Sequence, residues 1–134
     1  MDLAIRDKVF LVTGASAGIG EATARLLAAE GAFVVGVSRK PDTLADLGPR
    51  VSGLAADLTE PEAAGRIVAA VLEGHGRLDG VVGNLGAVRS GAGFRSLEDR
   101  SWRESFEVNL FAGLRVLRAA LPALLVHGGA LRQI

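Results

Sequence analysis

The stretch Val9–Gly20, VFLVTGASAGIG, constrains the fold of this chain more than any other. A short apolar run breaks into a glycine-rich turn, and an amphipathic segment follows as far as Glu30. Short apolar runs bounded by turn residues are typical of buried strands, and apolar residues at helical spacing are typical of helices. The order therefore predicts a strand, a loop and a helix, which is a building unit of an α/β sheet.

Each glycine of this turn has its own physical reason. Gly14 allows a tight exit from the strand, Gly18 lets the backbone approach a pyrophosphate closely, and Gly20 lets the helix lie against the sheet. The first-turn N–H groups and the positive end of the helix dipole would then face that pyrophosphate. Glycine spacing alone also fits an ordinary strand-to-helix turn. The position between a predicted strand and a predicted helix favours the phosphate loop.

The run Thr13–Gly20 resembles the TGxxxGxG loop of the short-chain dehydrogenase/reductase family, and the resemblance continues in register from Asp7 to His127. It implies a doubly wound, Rossmann-like parallel sheet that binds a nicotinamide dinucleotide. It also implies an oxidoreductase that transfers hydride between this cofactor and a carbonyl or an alcohol. The loop positions that match the family's cofactor-binding residues are Gly14, Ser16, Gly18, Ile19 and Gly20.

Basic residues follow the second predicted strand, Phe33–Val37, where Ser38, Arg39 and Lys40 stand in sequence. Ligands of open α/β sheets bind beyond the carboxyl ends of the strands, where an acidic residue would accept the ribose hydroxyls of NAD. The basic residues instead predict NADP, because they could neutralise its extra phosphate. In the resembled family, a basic residue at the position of Arg39 goes with NADP preference. Solvated surface charges are the alternative interpretation.

Two further strands supply the remaining predicted cofactor contacts. After the third, Val51–Ala56, Asp57 and Leu58 resemble the family's pair beside the adenine ring, although Asp57 could instead cap a nearby turn. After the fourth, Leu78–Val82, the segment GNLG resembles the family's NNAG. Asn84 and Gly86 match that motif, whereas Gly83 and Leu85 depart from it. Leu85 places extra bulk beside the expected ribose and nicotinamide.

Helix starts are predicted at Thr59, with Glu62 as its capping-box partner, and at Ser96, with Asp99. The loop before Ser96 holds Gly91 and Gly93 and is predicted to be mobile.

The second of these helices is predicted to bury Trp102, Phe106 and Leu110, and Asn109 with them. Asn109 resembles the asparagine of the family's Asn-Ser-Tyr-Lys tetrad, where it has a supporting catalytic role. It could instead fasten the helix to the sheet by bonding backbone. A last helix, Phe111–Val126, is predicted to turn four leucines inward: Leu114, Leu117, Leu121 and Leu124. The stretch Ala130–Ile134 is a possible stub of a fifth strand.

Composition excludes several classes of function. The 134 residues fit one α/β domain, 1–134, with strand order 3-2-1-4, and Lys plus Arg equals Asp plus Glu at 15 each. This neutral balance gives no footprint for nucleic acid or an anionic membrane. Two His and no Cys leave little for a metal site. A charged start and no apolar run of about 20 residues predict a soluble cytoplasmic chain.

The residues of the family's proton transfer are missing. The chain has no Tyr, and Lys8 and Lys40 stand at the wrong ends of strands. The resemblance places Ser, Tyr and Lys beyond Ile134, so we expect a domain that is incomplete at its C-terminus and inactive alone. One hypothesis is an NADP-dependent oxidoreductase represented by an incomplete chain. The other is a non-catalytic nucleotide-binding or interaction fragment. Since at most a stub of a fifth strand would cover the fourth, we expect an open sheet edge there, and with it self-association or a partner that supplies the missing half.

Overall fold

The computed structural model describes residues 3–87 and 93–134. Five strands form one parallel sheet in the order β3-β2-β1-β4-β5. The strands are β1 Val9–Thr13, β2 Phe33–Ser38, β3 Val51–Ala55, β4 Gly80–Gly83 and β5 Ala130–Gln133. The helices are α1 Gly18–Ala29, α2 Ala63–His75, α3 Asp99–Phe106 and α4 Ala112–Val126, with a π turn at Glu107–Phe111 and 3₁₀ helices at Pro41–Leu47 and Phe94–Ser96. The predicted order 3-2-1-4 is confirmed. The predicted mobility around Gly91 concerns residues outside the described ranges.

The sheet is covered on both faces because successive strand residues point to opposite sides. On one face, Leu11 of β1 packs with side chains of α2 and α4, such as Val71 and Val116. On the other, Val12 packs with α1 and the 3₁₀ helix Pro41–Leu47 through Ala24 and Leu44. The sheet is therefore doubly wound, as the resemblance implies.

The possible fifth strand is present, and its pairing with β4 changes which strand forms the edge of the sheet. Gly80 pairs with Ala130 and Gly83 with Gln133, so β5 covers the side of β4 that faces away from β1. The expectation that the fourth strand would present an open edge is wrong. Within the described residues, β3 and β5 are the outer strands of the sheet.

The face that α4 buries differs from the predicted one. Its buried residues are Ala112, Gly113, Val116, Ala120 and Leu124. Of the four predicted leucines, Leu124 is buried, Leu117 is partly buried, and Leu114 and Leu121 are exposed. Small residues on the inner side let the helix lie close to the sheet and to α2, and counting large apolar residues overlooks such a side.

Helix α3 also differs from its prediction, because none of its residues is buried. Trp102, Phe106 and Leu110, which the spacing predicts to be inside, are 41%, 53% and 43% exposed. The side chains that the spacing predicts to be buried therefore lie at the surface.

Helix α3, the π turn and α4 run continuously from Asp99 to Val126, over 28 residues. By length and composition alone, this stretch is sufficient to cross a membrane. A core helix of a water-soluble protein meets the same criterion, and α4 packs here against α2 and β4.

Neither predicted capping box forms. The Thr59 hydroxyl donates to Asp57 Oδ1 over 2.6 Å, and α2 begins only at Ala63. The Ser96 hydroxyl donates to the carbonyl of Gly93, and α3 begins at Asp99. Both side chains close local turns before the helices, because a hydroxyl satisfies a turn as readily as a helix start.

Candidate functional site

A cleft of about 910 Å³ lies at the carboxyl ends of β1 to β4. The predicted cofactor-binding residues that line it are Gly14, Ser16, Ser38, Arg39, Asp57, Leu58, Asn84 and Gly86. Gly18, Ile19 and Gly20 form the adjoining first turn of α1 and are not among the lining residues. The topology thus brings together residues from four separate strand ends, which is where an open α/β sheet binds its ligand.

The floor of the cleft is held by hydrogen bonds between strand ends. Thr13 is buried, and its Oγ1 accepts from the backbone N–H groups of Asn84 and Leu85 over 3.0 and 3.2 Å. The Asn84 side-chain amide donates to the carbonyl of Gly14 over 3.3 Å. These bonds join the end of β1 to the segment after β4. Sequence reasoning gave Thr13 no role beyond the motif.

The loop glycines are required by backbone geometry and by close contacts. Gly14 and Gly18 have φ of +64° and +59°, a region that favours glycine. A Cβ on Gly20 would lie 2.2 Å from the Gly14 carbonyl oxygen and 2.5 Å from Asn84 Nδ2. The close approach at Gly20 is therefore to the loop and Asn84, rather than to the face of the sheet.

The start of α1 fits an anionic group. A Cβ on Gly18 would meet nothing within 4 Å, so the space beside this residue is open. The N-cap residue Ala17 provides no side-chain hydrogen bond to the first turn. The N–H groups of that turn are thus left without a capping side chain beside open space, where a phosphate would satisfy them.

The end of β2 carries a positive charge toward the cleft. Arg39 is exposed and has no ion pair with any residue of the described ranges. Ser38 Oγ accepts from the backbone N–H of Lys40 over 3.0 Å, so its hydroxyl hydrogen is still available to a ligand.

Asp57 carries the facing negative charge. Its Oδ1 accepts from the hydroxyl and the backbone N–H of Thr59, over 2.6 and 3.0 Å. These two bonds, aided by the charge of Arg39, lower the pKa of Asp57 despite some burial. Asp57 therefore does stabilise a turn, as its alternative interpretation holds. The same bonds fix its orientation at the rim of the cleft.

Asn109 lies outside the cleft lining and is exposed rather than buried. Its Nδ2 donates to the carbonyls of Ala87 and Ser105, and its Oδ1 accepts from the N–H of Ala87. The prediction of a buried amide is wrong because α3 and the π turn bury no side chain. The contacts match the alternative role, in which this side chain fastens the helix to the segment after β4.

Leu85, the bulkier departure from the family motif, lines the cleft and also packs against the larger core cluster. Because the Leu85 side chain is partly buried against this cluster, part of its extra bulk lies in the core rather than in the cleft.

The whole α3 wall of the cleft was missed from sequence, and four residues form it: Arg103, Glu104, Glu107 and Val108. Positions 103 and 107, like 104 and 108, are four apart and so share a helical side. The apolar spacing of Trp102, Phe106 and Leu110 instead predicts a different side of the helix as the inner one. Glu104 pairs with Arg100 over 2.9 Å, and Glu107 pairs with Arg115.

A doubly wound parallel sheet, with a glycine turn at the carboxyl end of β1 and an uncapped helix start, defines a Rossmann-like fold. The chain belongs to the short-chain dehydrogenase/reductase family, since the family model described as short chain dehydrogenase matches residues 8–131.

Known relatives resemble this chain over one part of their length. An uncharacterized oxidoreductase of Bacillus subtilis, YvrD, is 36% identical over 132 residues, which is 93% of this chain and 49% of that protein. A short-chain dehydrogenase structure from Streptomyces avermitilis superposes with a TM-score of 0.87 at 36% identity, covering 95% of this chain and 48% of that one. A 3-ketoacyl-(acyl-carrier-protein) reductase structure from Brucella melitensis, complexed with NADH, superposes with a TM-score of 0.83 at 28% identity. This match covers 89% of this chain and 51% of that one. The chain spans about half the length of the curated relatives it matches.

Proposed function

We propose that residues 1–134 form one NADP-binding domain of an oxidoreductase that transfers hydride between NADP(H) and a carbonyl or an alcohol. The observation that carries the proposal is Arg39, which has no ion pair within residues 3–87 and 93–134 and lines the cleft at the carboxyl ends of the strands. An unpaired guanidinium at this position suits a phosphate monoester better than a ribose hydroxyl.

Each part of the dinucleotide has candidate contacts. The N–H groups of Gly18, Ile19 and Gly20 would hold the pyrophosphate, with Ser16 at the rim of the loop. Ser38 and Arg39 would hold the 2′-phosphate. Asp57 and Leu58 would flank the adenine, the Asp57 carboxylate facing its amine. Asn84 and Gly86 would lie beside the ribose and the nicotinamide.

The bound cofactor would supply the hydride, and the residues of this chain would bind and orient it. A reduction also needs a proton, and the chain contains no Tyr to deliver one as the family does. Asn109 would support the site indirectly by holding Ala87, next to Gly86. We place the protein in the cytoplasm, for which the absence of Cys is the supporting observation.

Calorimetric titration of the chain with NADP and with NAD tests the cofactor. We expect NADP to bind about ten to a hundred times more tightly, the ratio given by one or two charge-assisted hydrogen bonds. Arg39→Gln should remove most of that difference while leaving NAD binding intact. Equal affinities in the unmodified chain would contradict the assignment to NADP, and binding of neither nucleotide would contradict the proposed function itself.

A further inference from the structure

The charges on the α3 wall of the cleft are unevenly paired. Two carboxylates line this wall, and each is held by an arginine outside the lining: Glu104 by Arg100 over 2.9 Å, and Glu107 by Arg115. Arg103 lines the same wall and has no ion pair with any residue of the described ranges. Among the described residues, the wall therefore presents one positive charge without a paired carboxylate, that of Arg103.

The π turn explains why Glu107 does not neutralise Arg103. On a regular helix, residues four apart are neighbours, and Arg103 and Glu107 would be expected to pair. The π turn Glu107–Phe111 adds a residue to the helical repeat. Two residues eight apart are then related almost as residues seven apart are on an α-helix, so Arg115 comes onto the side of Glu107. Arg115 engages Glu107 and leaves Arg103 unpaired.

Two cations that have no ion pair within residues 3–87 and 93–134 thus line one cleft, Arg39 from the end of β2 and Arg103 from α3. The end of β3 lines the same cleft through Asp57 and Thr59, and the charge of Arg39 acts on Asp57. Like charges that line one cleft repel each other and favour a bound anion.

We propose that Arg103 is a second cation for the 2′-phosphate of the dinucleotide, and so a residue that determines the preference for NADP. The inference rests on the proposed function, because it concerns the phosphate that Arg39 would contact. Arg39 and Arg103 would approach this phosphate from the sheet and from the helix. Helix α3 would then close on NADP more firmly than on NAD.

Titration of four variants against two pairs of ligands tests this role. The first pair is NADP and NAD, and the second is 2′,5′-ADP and 5′-AMP, which isolates the adenosine end. The variants are Arg103→Gln, Arg39→Gln, the double variant and Arg95→Gln. Arg95 is the matched control, since it is exposed, precedes α3 and does not line the cleft.

We expect Arg103→Gln to weaken NADP and 2′,5′-ADP about tenfold and to change NAD and 5′-AMP less than twofold. Arg95→Gln should change none of them. The double variant should bind NADP no better than NAD. An equal loss for NADP and NAD in Arg103→Gln, or no loss in either, would overturn the role of Arg103 while leaving the proposed function standing. Failure of the unmodified chain to bind any of the four ligands would overturn both. Because Arg103 is exposed, its variant is expected to keep the thermal midpoint of the unmodified chain, and this midpoint is measured on the same samples.

Discussion

Asn109 and Ala87 are joined by a reciprocal pair of hydrogen bonds. Asn109 Nδ2 donates to the Ala87 carbonyl over 2.8 Å, and the Ala87 N–H donates to Asn109 Oδ1 over 3.1 Å. The side-chain amide thus satisfies both backbone groups of Ala87, as a residue of a neighbouring strand would. These bonds fix the segment after β4 against the helix.

Asn109→Ala should therefore release this segment. We expect a loss of about 1 kcal/mol in the free energy of unfolding, since the bonds are solvent-accessible, and a clear rise in amide exchange at Ala87. Asn109→Asp keeps the acceptor for the Ala87 N–H and should retain most of its protection. Unchanged exchange at Ala87 in the alanine variant would show that other contacts hold the segment.

Gly20→Ala is expected to damage the loop. Its Cβ would lie 2.2 Å from the Gly14 carbonyl oxygen, so the loop or the helix must shift. The predicted cost is about 2 to 3 kcal/mol of stability, together with loss of nucleotide binding. Gly65→Ala in α2 is the matched control, because its Cβ would meet nothing within 4 Å, and it should raise stability by up to about 1 kcal/mol. Urea denaturation of both variants decides, and equal effects would refute the steric argument.

Asp79 is predicted to make stability depend on acid pH. Burial acts to raise the pKa of this carboxylate, but the Arg77 hydrogen bonds and the N–H of Val9, with the charges of Arg77 and His127, outweigh burial and lower it. The fold therefore favours the ionised form. Its contribution is complete above the ordinary pKa of 3.8 and is lost as the pH falls through the lower folded value.

Asp79→Asn should cost about 2 kcal/mol at pH 7, and the difference from the unmodified chain should shrink as the pH falls below 3.8. Asp42→Asn, an exposed carboxylate in the 3₁₀ helix Pro41–Leu47, controls for the lost charge. Denaturation curves collected from neutral to acid pH provide the comparison. A difference that stays constant over that range would contradict the assignment to Asp79.

The exposed apolar side of α3, the π turn and α4 is expected to cause self-association. It contains Phe106, Leu110, Leu114, Leu121 and Leu125, each at least 43% exposed. Light scattering should detect dimers or larger species, and Leu121→Lys should shift them toward monomer. Leu26→Lys controls for the added charge, since Leu26 is 67% exposed on α1. A monodisperse monomer at high concentration would show that this side needs no cover.

The purified chain should not oxidise NADPH in the presence of aldehydes or ketones. The reason is chemical, because no Tyr is available to deliver a proton in step with the hydride. Absorbance of NADPH is followed with and without protein. A sustained protein-dependent decrease that survives repurification would show that a group other than Tyr delivers the proton.

The sequence predicts the sheet well because the signals for its strands are local. Apolar runs bounded by glycine and polar residues locate β1, β2 and β3, and the left-handed residue after α1 is Gly31, with φ of +91°. The carboxyl ends of parallel strands must meet at one edge, so residues as distant as Ser38 and Asn84 can be assigned to one cleft from the sequence alone.

The helices are harder to predict because their inner sides depend on tertiary packing. The leucines of α4 suggest one side, but the small residues Ala112, Gly113 and Ala120 form the close contact. The π turn carries no local signal, yet it decides which arginine meets Glu107. Apolar periodicity therefore could not predict the α3 wall of the cleft.

Helix α3 buries none of its eight residues, so it is held less firmly than the strand ends, which the hydrogen bonds of Thr13 join. Since no residue of α3 is fully buried, its opening free energy should fall well below that of global unfolding. We therefore expect the α3 wall of the cleft to open more readily than the strand ends. If the proposed function holds, we expect a dinucleotide to enter and leave past α3 while the sheet stays intact.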